Sequence, residues 1–106
     1  MSIKQPYLKK LERIFLQEGI TMHGYDFELS MYHELQEIIE RQPEHEEFKV
    51  QLEYEDGVTV NVFGCISQQL RNGETPYIET DYEGLEFINP DGTKKYHKFE
   101  YSTGGL

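Results

Sequence analysis

The sequence predicts an α+β domain: two N-terminal helices followed by a four- to five-stranded antiparallel meander sheet. Three observations carry that prediction. In the N-terminal third, apolar residues recur at spacings of three and four, the periodicity of helices. Phe48-Lys49-Val50-Gln51-Leu52-Glu53-Tyr54 alternates apolar with polar, and Val58, Val60 and Val62 resume that alternation after Asp56-Gly57. Asn72-Gly73 and Asn89-Pro90-Asp91-Gly92 are turn sequences that divide the remaining chain into further extended runs.

Pro6 suits the first turn of a helix, and Tyr7, Leu8, Leu11, Ile14 and Phe15 form its apolar stripe. Gly19 is a natural stop, so this helix is expected over about residues 5–18. Asp26 or Ser30 can cap a second helix with Leu29, Met31, Tyr32, Leu35, Ile38 and Ile39 on one face, ended by Pro43. Glu44, Glu46 and Glu47 read as a linker. The hairpin of residues 48–66 follows, with positive φ supplied at Asp56-Gly57. Tyr77–Ile88 then alternates, with Ile78, Thr80 and Tyr82 on one face and Tyr77, Glu79, Asp81 and Glu83 on the other. Gly84 interrupts the alternation as a β-bulge does, and Leu85 and Phe87 continue it. A last strand is expected over Thr93–Tyr101. The 106 residues therefore form one domain, with a helical part over 1–43, a sheet over 48–101 and a tail over 102–106.

Cys65 is the lone cysteine, which excludes an internal disulfide and favours a reducing, cytoplasmic setting. No apolar run has the length of a signal peptide or a membrane span. The net charge of −10 is unevenly placed. Residues 1–13 and 93–98 each carry a balance of +3, whereas residues 14–92 hold 18 acids against Arg41, Lys49 and Arg71. Such a chain repels phosphate backbones and attracts basic partners, so no direct nucleic-acid binding is expected.

Catalytic and cofactor chemistry finds little footing. His23, His33, His45 and His97 lack metal-ligand spacing, so neither a metal nor another cofactor is expected. Gly104-Gly105 ends the chain where no helix can follow to cradle a phosphate. Cys65 follows Gly64 in an expected strand and reads as an inert thiol. A non-enzymatic role is the expectation.

The carboxylates carry more information. Glu53, Glu55, Glu79, Asp81 and Glu83 point away from the apolar strand faces, and Glu34, Glu37 and Glu40 recur on the second helix. Tyr54, Tyr77 and Tyr82 lie among them as aromatic anchors. Held in ordered rows, these carboxylates suit the Arg and Lys side chains of a groove that otherwise binds phosphates. The alternative is a solvated acidic face that serves only solubility.

Two resemblances bear on function. In size and charge the chain is similar to small phage inhibitors of nucleic-acid enzymes, the anti-CRISPR proteins and uracil-glycosylase inhibitors. That likeness implies an inhibitor occupying the nucleic-acid site of a DNA- or RNA-handling enzyme. Separately, a helix followed by Phe48-x-Val50-x-Leu52-x-Tyr54-x-x-Gly57, with Gly64-x-Ile66 beyond, resembles the opening of Sm-like and YolD-like small barrels. It implies a sheet that curls closed and a regulatory or DNA-repair-associated role.

Overall fold

The computed structural model describes residues 6–69 and 75–102. Helices α1 (Pro6–Gln17) and α2 (Gly24–Arg41) precede strands β1 (His45–Glu53), β2 (Thr59–Gln69), β3 (Tyr77–Ile88) and β4 (Lys94–Ser102). The strands pair in the order β1-β2-β3-β4, each antiparallel to the next. This is the expected α+β meander. β1 and β4 are its two edges, so the sheet stays open and the barrel implied by the Sm-like resemblance does not form. The Asn72-Gly73 turn, Lys4 and the tail beyond Ser102 lie outside the described residues.

α1 buries Tyr7, Leu11, Ile14 and Phe15. It ends where Gly19 takes a φ of +82° and Ile20 N–H returns to the Phe15 carbonyl at 2.9 Å. α2 starts at Gly24, ahead of the expected caps Asp26 and Ser30. Its N-cap residue, His23, makes no side-chain cap; a carboxylate from α1 does that work instead, Glu12 Oε2 accepting the Gly24 N–H at 2.7 Å. The Tyr7 hydroxyl donates to Glu28 Oε2. The later α1 residue, Glu12, meets the earlier α2 residue, Gly24, and Tyr7 meets Glu28, the order of an antiparallel hairpin. A Cβ on Gly24 would stand 2.9 Å from Leu8 Cβ, so glycine allows the helices their close approach. The buried stripe of α2 is Phe27, Met31 and Leu35, narrower than the sequence periodicity suggests; Leu29 and Tyr32 are exposed. Gln42 then adopts a left-handed conformation, φ 48°, immediately before Pro43.

β1 begins three residues before Phe48, because Gln68 N–H donates to the Glu44 carbonyl and His45 pairs with Ser67. Glu46 and Glu47 are therefore strand residues, not linker. At the first turn Asp56 and Gly57 both take positive φ, 60° and 78°, while Tyr54 N–H bonds the Val58 carbonyl at 2.8 Å. The last turn is closed by Asn89 N–H to the Thr93 carbonyl, with Gly92 at φ +91°. Asp91 accepts both the N–H and the hydroxyl of Thr93, bonds that hold its carboxyl below the ordinary range.

The two helices cover one face of the sheet. Phe48, Val50, Val60, Val62, Ile66, Leu85, Phe87 and Phe99 fill that face. Phe15 stands edge-on to Phe87, Tyr54 and Phe27 at centroid separations of 5.0, 5.1 and 6.0 Å. Tyr82 stacks on Tyr7 at 5.8 Å and meets Phe27 and Phe48. Burying each of these rings contributes about 2–3 kcal/mol, and each good aromatic pair adds roughly 1 kcal/mol.

β3 does not alternate throughout. Its register shifts against β2 between Phe63 and Gly64, and against β4 between Tyr82 and Gly84. Glu83 is an additional residue at the bulge, so Tyr82 and Leu85 both face the helices although three positions separate them. A Cβ on Gly64 would strike the Asp81 carbonyl oxygen and stand 2.7 Å from Phe48 Cζ. A Cβ on Gly84 would strike the hydroxyl and ring edge of Tyr96, an exposed side chain. Gly64→Ala is accordingly expected to cost roughly 3 kcal/mol or more, since backbone cannot retreat, and Gly84→Ala about 1 kcal/mol, since Tyr96 swings aside. Urea unfolding of the two variants checks this; equal losses would contradict the difference in packing.

Candidate protein-binding surface

The face of the sheet turned away from the helices is built by the residues the core alternation leaves over. β1 contributes His45, Glu47, Lys49, Gln51 and Glu53; β2 contributes Thr59, Asn61, Phe63, Cys65, Ser67 and Gln69. β3 adds Tyr77, Glu79 and Asp81 before the bulge and Glu86 after it. Register places these side chains in cross-strand rows. Glu47 lies opposite Cys65, which lies opposite Asp81; His45, Ser67 and Glu79 form the next row.

Cys65 marks the centre of the acidic part of this face. Its thiol is 6% exposed and points at Asp81 Oδ2, 3.8 Å away. Burial, and then the charges of Asp81, Glu83 and Glu47, push the thiol from an ordinary 9.0 up to about 11. All three carboxylates are therefore near enough to act on one sulfur atom. Towards the other end of the face a polar ladder crosses three strands. Gln51 Nε2 donates to Asn61 Oδ1 at 3.2 Å, and Asn61 Nδ2 donates to Glu86 Oε1 at 3.0 Å. Between the two regions Lys49 Nζ sits 5.9 Å from the centre of the Phe63 ring, and Phe63 packs against Tyr96, which is 56% exposed above Gly84.

The anticipated site residues divide into separate groups. Glu79, Asp81 and Glu83 lie on this open face around Cys65. Glu53 and Glu55 are exposed at the far end of β1 and in the turn after it. Glu34, Glu37 and Glu40 are all exposed on α2, in the layer on the other side of the sheet. A three-residue spacing also turns each of them about 60° from the last, so they spiral around the helix and do not align. Among the described residues the ion pairs are Arg41–Glu46, Lys95–Glu18, His97–Glu18 and Lys98–Glu100, and none uses any of these eight carboxylates.

The tyrosines differ as sharply. Tyr82 is 5% exposed inside the core and presents nothing to a partner. Tyr54 is half-buried against Phe15, its phenol raised to about 12 by burial and by the nearby Asp26 charge. Tyr77 is half-buried on the open face, opposite Gln69. Glu47, Glu86, Phe63 and Tyr96 belong to the same face but were not anticipated. The signal for Glu47 was its parity with Lys49 and Gln51, hidden by reading residues 44–47 as linker.

A cleft of about 200 Å³ opens between the helix turn and the first hairpin, lined by His23, Asp26, Ser30, Glu53 and Tyr54 among others. It lies away from the acidic rows. Among the described residues no three His, Cys, Asp or Glu side chains come together as a cation site, and no helix is long and apolar enough to cross a membrane. Comparison with known protein families, curated proteins and solved structures finds no match.

Three groups wholly or partly withdrawn from solvent share one pH consequence. Cys65, Tyr54 and Tyr82 all hold their protons more tightly in the folded chain, the last through burial and the Glu28 charge. Folded protein thus binds more protons than unfolded protein above the ordinary thiol value of 9.0. The stabilisation is complete below that pH and falls as pH rises from about 9 through about 11–12. Urea midpoints measured across this range should decline, and less steeply in Cys65→Ala below pH about 11. An unchanged slope in that variant would contradict the placement of the thiol.

Proposed function

We propose that this protein is a non-enzymatic binding module that sets its acidic sheet face into a basic groove of another protein. In its most specific form it is an inhibitor that occupies the nucleic-acid site of a DNA- or RNA-handling enzyme. The observation that carries this reading is the group Glu47, Asp81 and Glu83 around Cys65 with Glu79 in the next cross-strand row, four carboxylates that take part in no ion pair among the described residues.

Carboxylates outside the ion pairs of the described residues keep their attraction for Arg and Lys on a partner, and a paired sheet holds them at fixed separations. Neighbouring strands stand about 4.8 Å apart, and same-face residues along a strand about 6.8 Å apart. A groove evolved for phosphates carries cations that are costly to leave desolvated and unpaired, so a rigid acidic face satisfies them in place of the nucleic acid. Tyr77, Phe63 and Tyr96 offer aromatic area on the same face, the residue type that dominates binding at interface centres. Glu34, Glu37 and Glu40 on α2 extend the negative field and steer approach, but they cannot enter the same groove from the opposite layer.

The reading is tested by capturing host proteins on the immobilised chain and eluting with duplex DNA or with salt. A partner released by both, and bound about 100-fold more weakly by the triple variant E79K/D81K/E83K, is the expected result. Circular dichroism establishes that the variant folds. A partner that binds wild type and triple variant equally, or that survives DNA competition, contradicts the proposal. So does the absence of any salt-sensitive partner, the outcome a merely solvated face predicts.

A further inference from the structure

We infer that β1 is an association edge, and that its occupant is β1 of a second copy of this chain, paired antiparallel with Glu47 of each copy opposite Lys49 of the other. The two edges of the sheet are built differently. β4 carries Lys94, Lys95 and Lys98, and its pairing with β3 is broken by a register shift. Charged, irregular strands of this kind resist addition of a further strand. β1 pairs with β2 over nine residues with no register shift, and it contains neither proline nor glycine. Its charged side chains, Glu46, Glu47, Lys49 and Glu53, are as many as those of β4, so regular pairing and a single lysine in place of three distinguish this edge. This leaves a long, regular row of backbone donors and acceptors on one side of the sheet.

Parity and charge then select the occupant and the register. Phe48 and Val50 face the helices, whereas Glu47, Lys49 and Gln51 face the open side. Two β1 strands related by a two-fold axis keep those faces aligned only if residues of like parity oppose one another. With Lys49 on the axis, the two lysines oppose each other. With Val50 on the axis, Glu47 faces Glu53 and carboxylate meets carboxylate. With Phe48 on the axis, Glu47 faces Lys49 twice, His45 faces Gln51 twice, and the two Phe48 rings come together on the core side. With Gln51 on the axis Lys49 faces Glu53 twice, but only residues 49–53 overlap; the Phe48 register gives two reciprocal ion pairs over the longer overlap of residues 45–51. In the single chain neither Glu47 nor Lys49 forms an ion pair among the described residues, so both charges are open to that pairing. The product is a continuous eight-stranded sheet with a separate Glu79–Asp81–Glu83 group on each half.

The association needs no other protein, so its test is independent of the proposed function. Sedimentation of the full chain over a dilution series should show a monomer–dimer equilibrium, and amides of β1 should gain hydrogen-exchange protection as concentration rises. E47K and K49E should each raise the dimer Kd about tenfold, and the double variant E47K/K49E should restore it to within about threefold. A chain that stays monomeric throughout, a Kd indifferent to both single reversals, or a double variant no tighter than either single would overturn the inference. A dimer dissolved by Y25S/L29S/Y32S on the exposed side of α2, with β1 amides unprotected, would place the contact on the helices and overturn it equally.

Discussion

One additional residue in β3 decides what each face of this sheet can do. Without the bulge at Glu83-Gly84, strict alternation would set Asp81 and Leu85 on the same side, sending either a carboxylate into the aromatic core or a leucine to the open face. With it, Tyr82, Leu85 and Phe87 all reach the helices, and Glu79, Asp81 and Glu86 all reach the other side. Gly64 is the counterpart in β2, where the Asp81 carbonyl passes so close that no side chain fits. The acidic face and the core are thus two results of the same local irregularity.

The helix layer is fixed to that sheet by polar contacts at its ends as well as by its rings. Glu18, at the end of α1, receives His97 Nε2 at 2.7 Å and Lys95 Nζ at 3.5 Å from β4. Glu12 and Glu28 tie α1 to α2. Three acids of a strongly acidic chain are thereby assigned to structure, and they are distinct from the carboxylates around Cys65. Net charge alone does not separate these roles; the partners of each carboxylate do.

Much of the fold was legible because period and turn chemistry agree: the helices, the Asp56-Gly57 turn, the full extent of β3 and the bulge at Gly84 all follow from local residues. The start of α2 was not, because its cap comes from Glu12, a residue twelve positions away. Nor was the start of β1, which depends on Gln68 reaching Glu44 across the hairpin. The surface was legible residue by residue but not as a whole. Sequence shows that Glu37 and Asp81 are both acidic and both off the apolar faces; only the packing of helices on one side of the sheet shows that they look in opposite directions. Tyr82 illustrates the converse: its parity with Ile78 already sets it opposite Glu79 and Asp81, and it is buried there, so it cannot anchor a partner beside them.

On the proposed reading, cationic groups of a partner settle on the open sheet face and not on the helix layer. Amide chemical shifts followed by NMR while an oligolysine peptide is titrated in test it most directly. Changes concentrated at Glu47, Cys65, Ser67, Glu79, Asp81 and Glu83 are the predicted result. Changes concentrated at Glu34, Glu37 and Glu40, with those sheet residues silent, would place the binding surface on the helices instead.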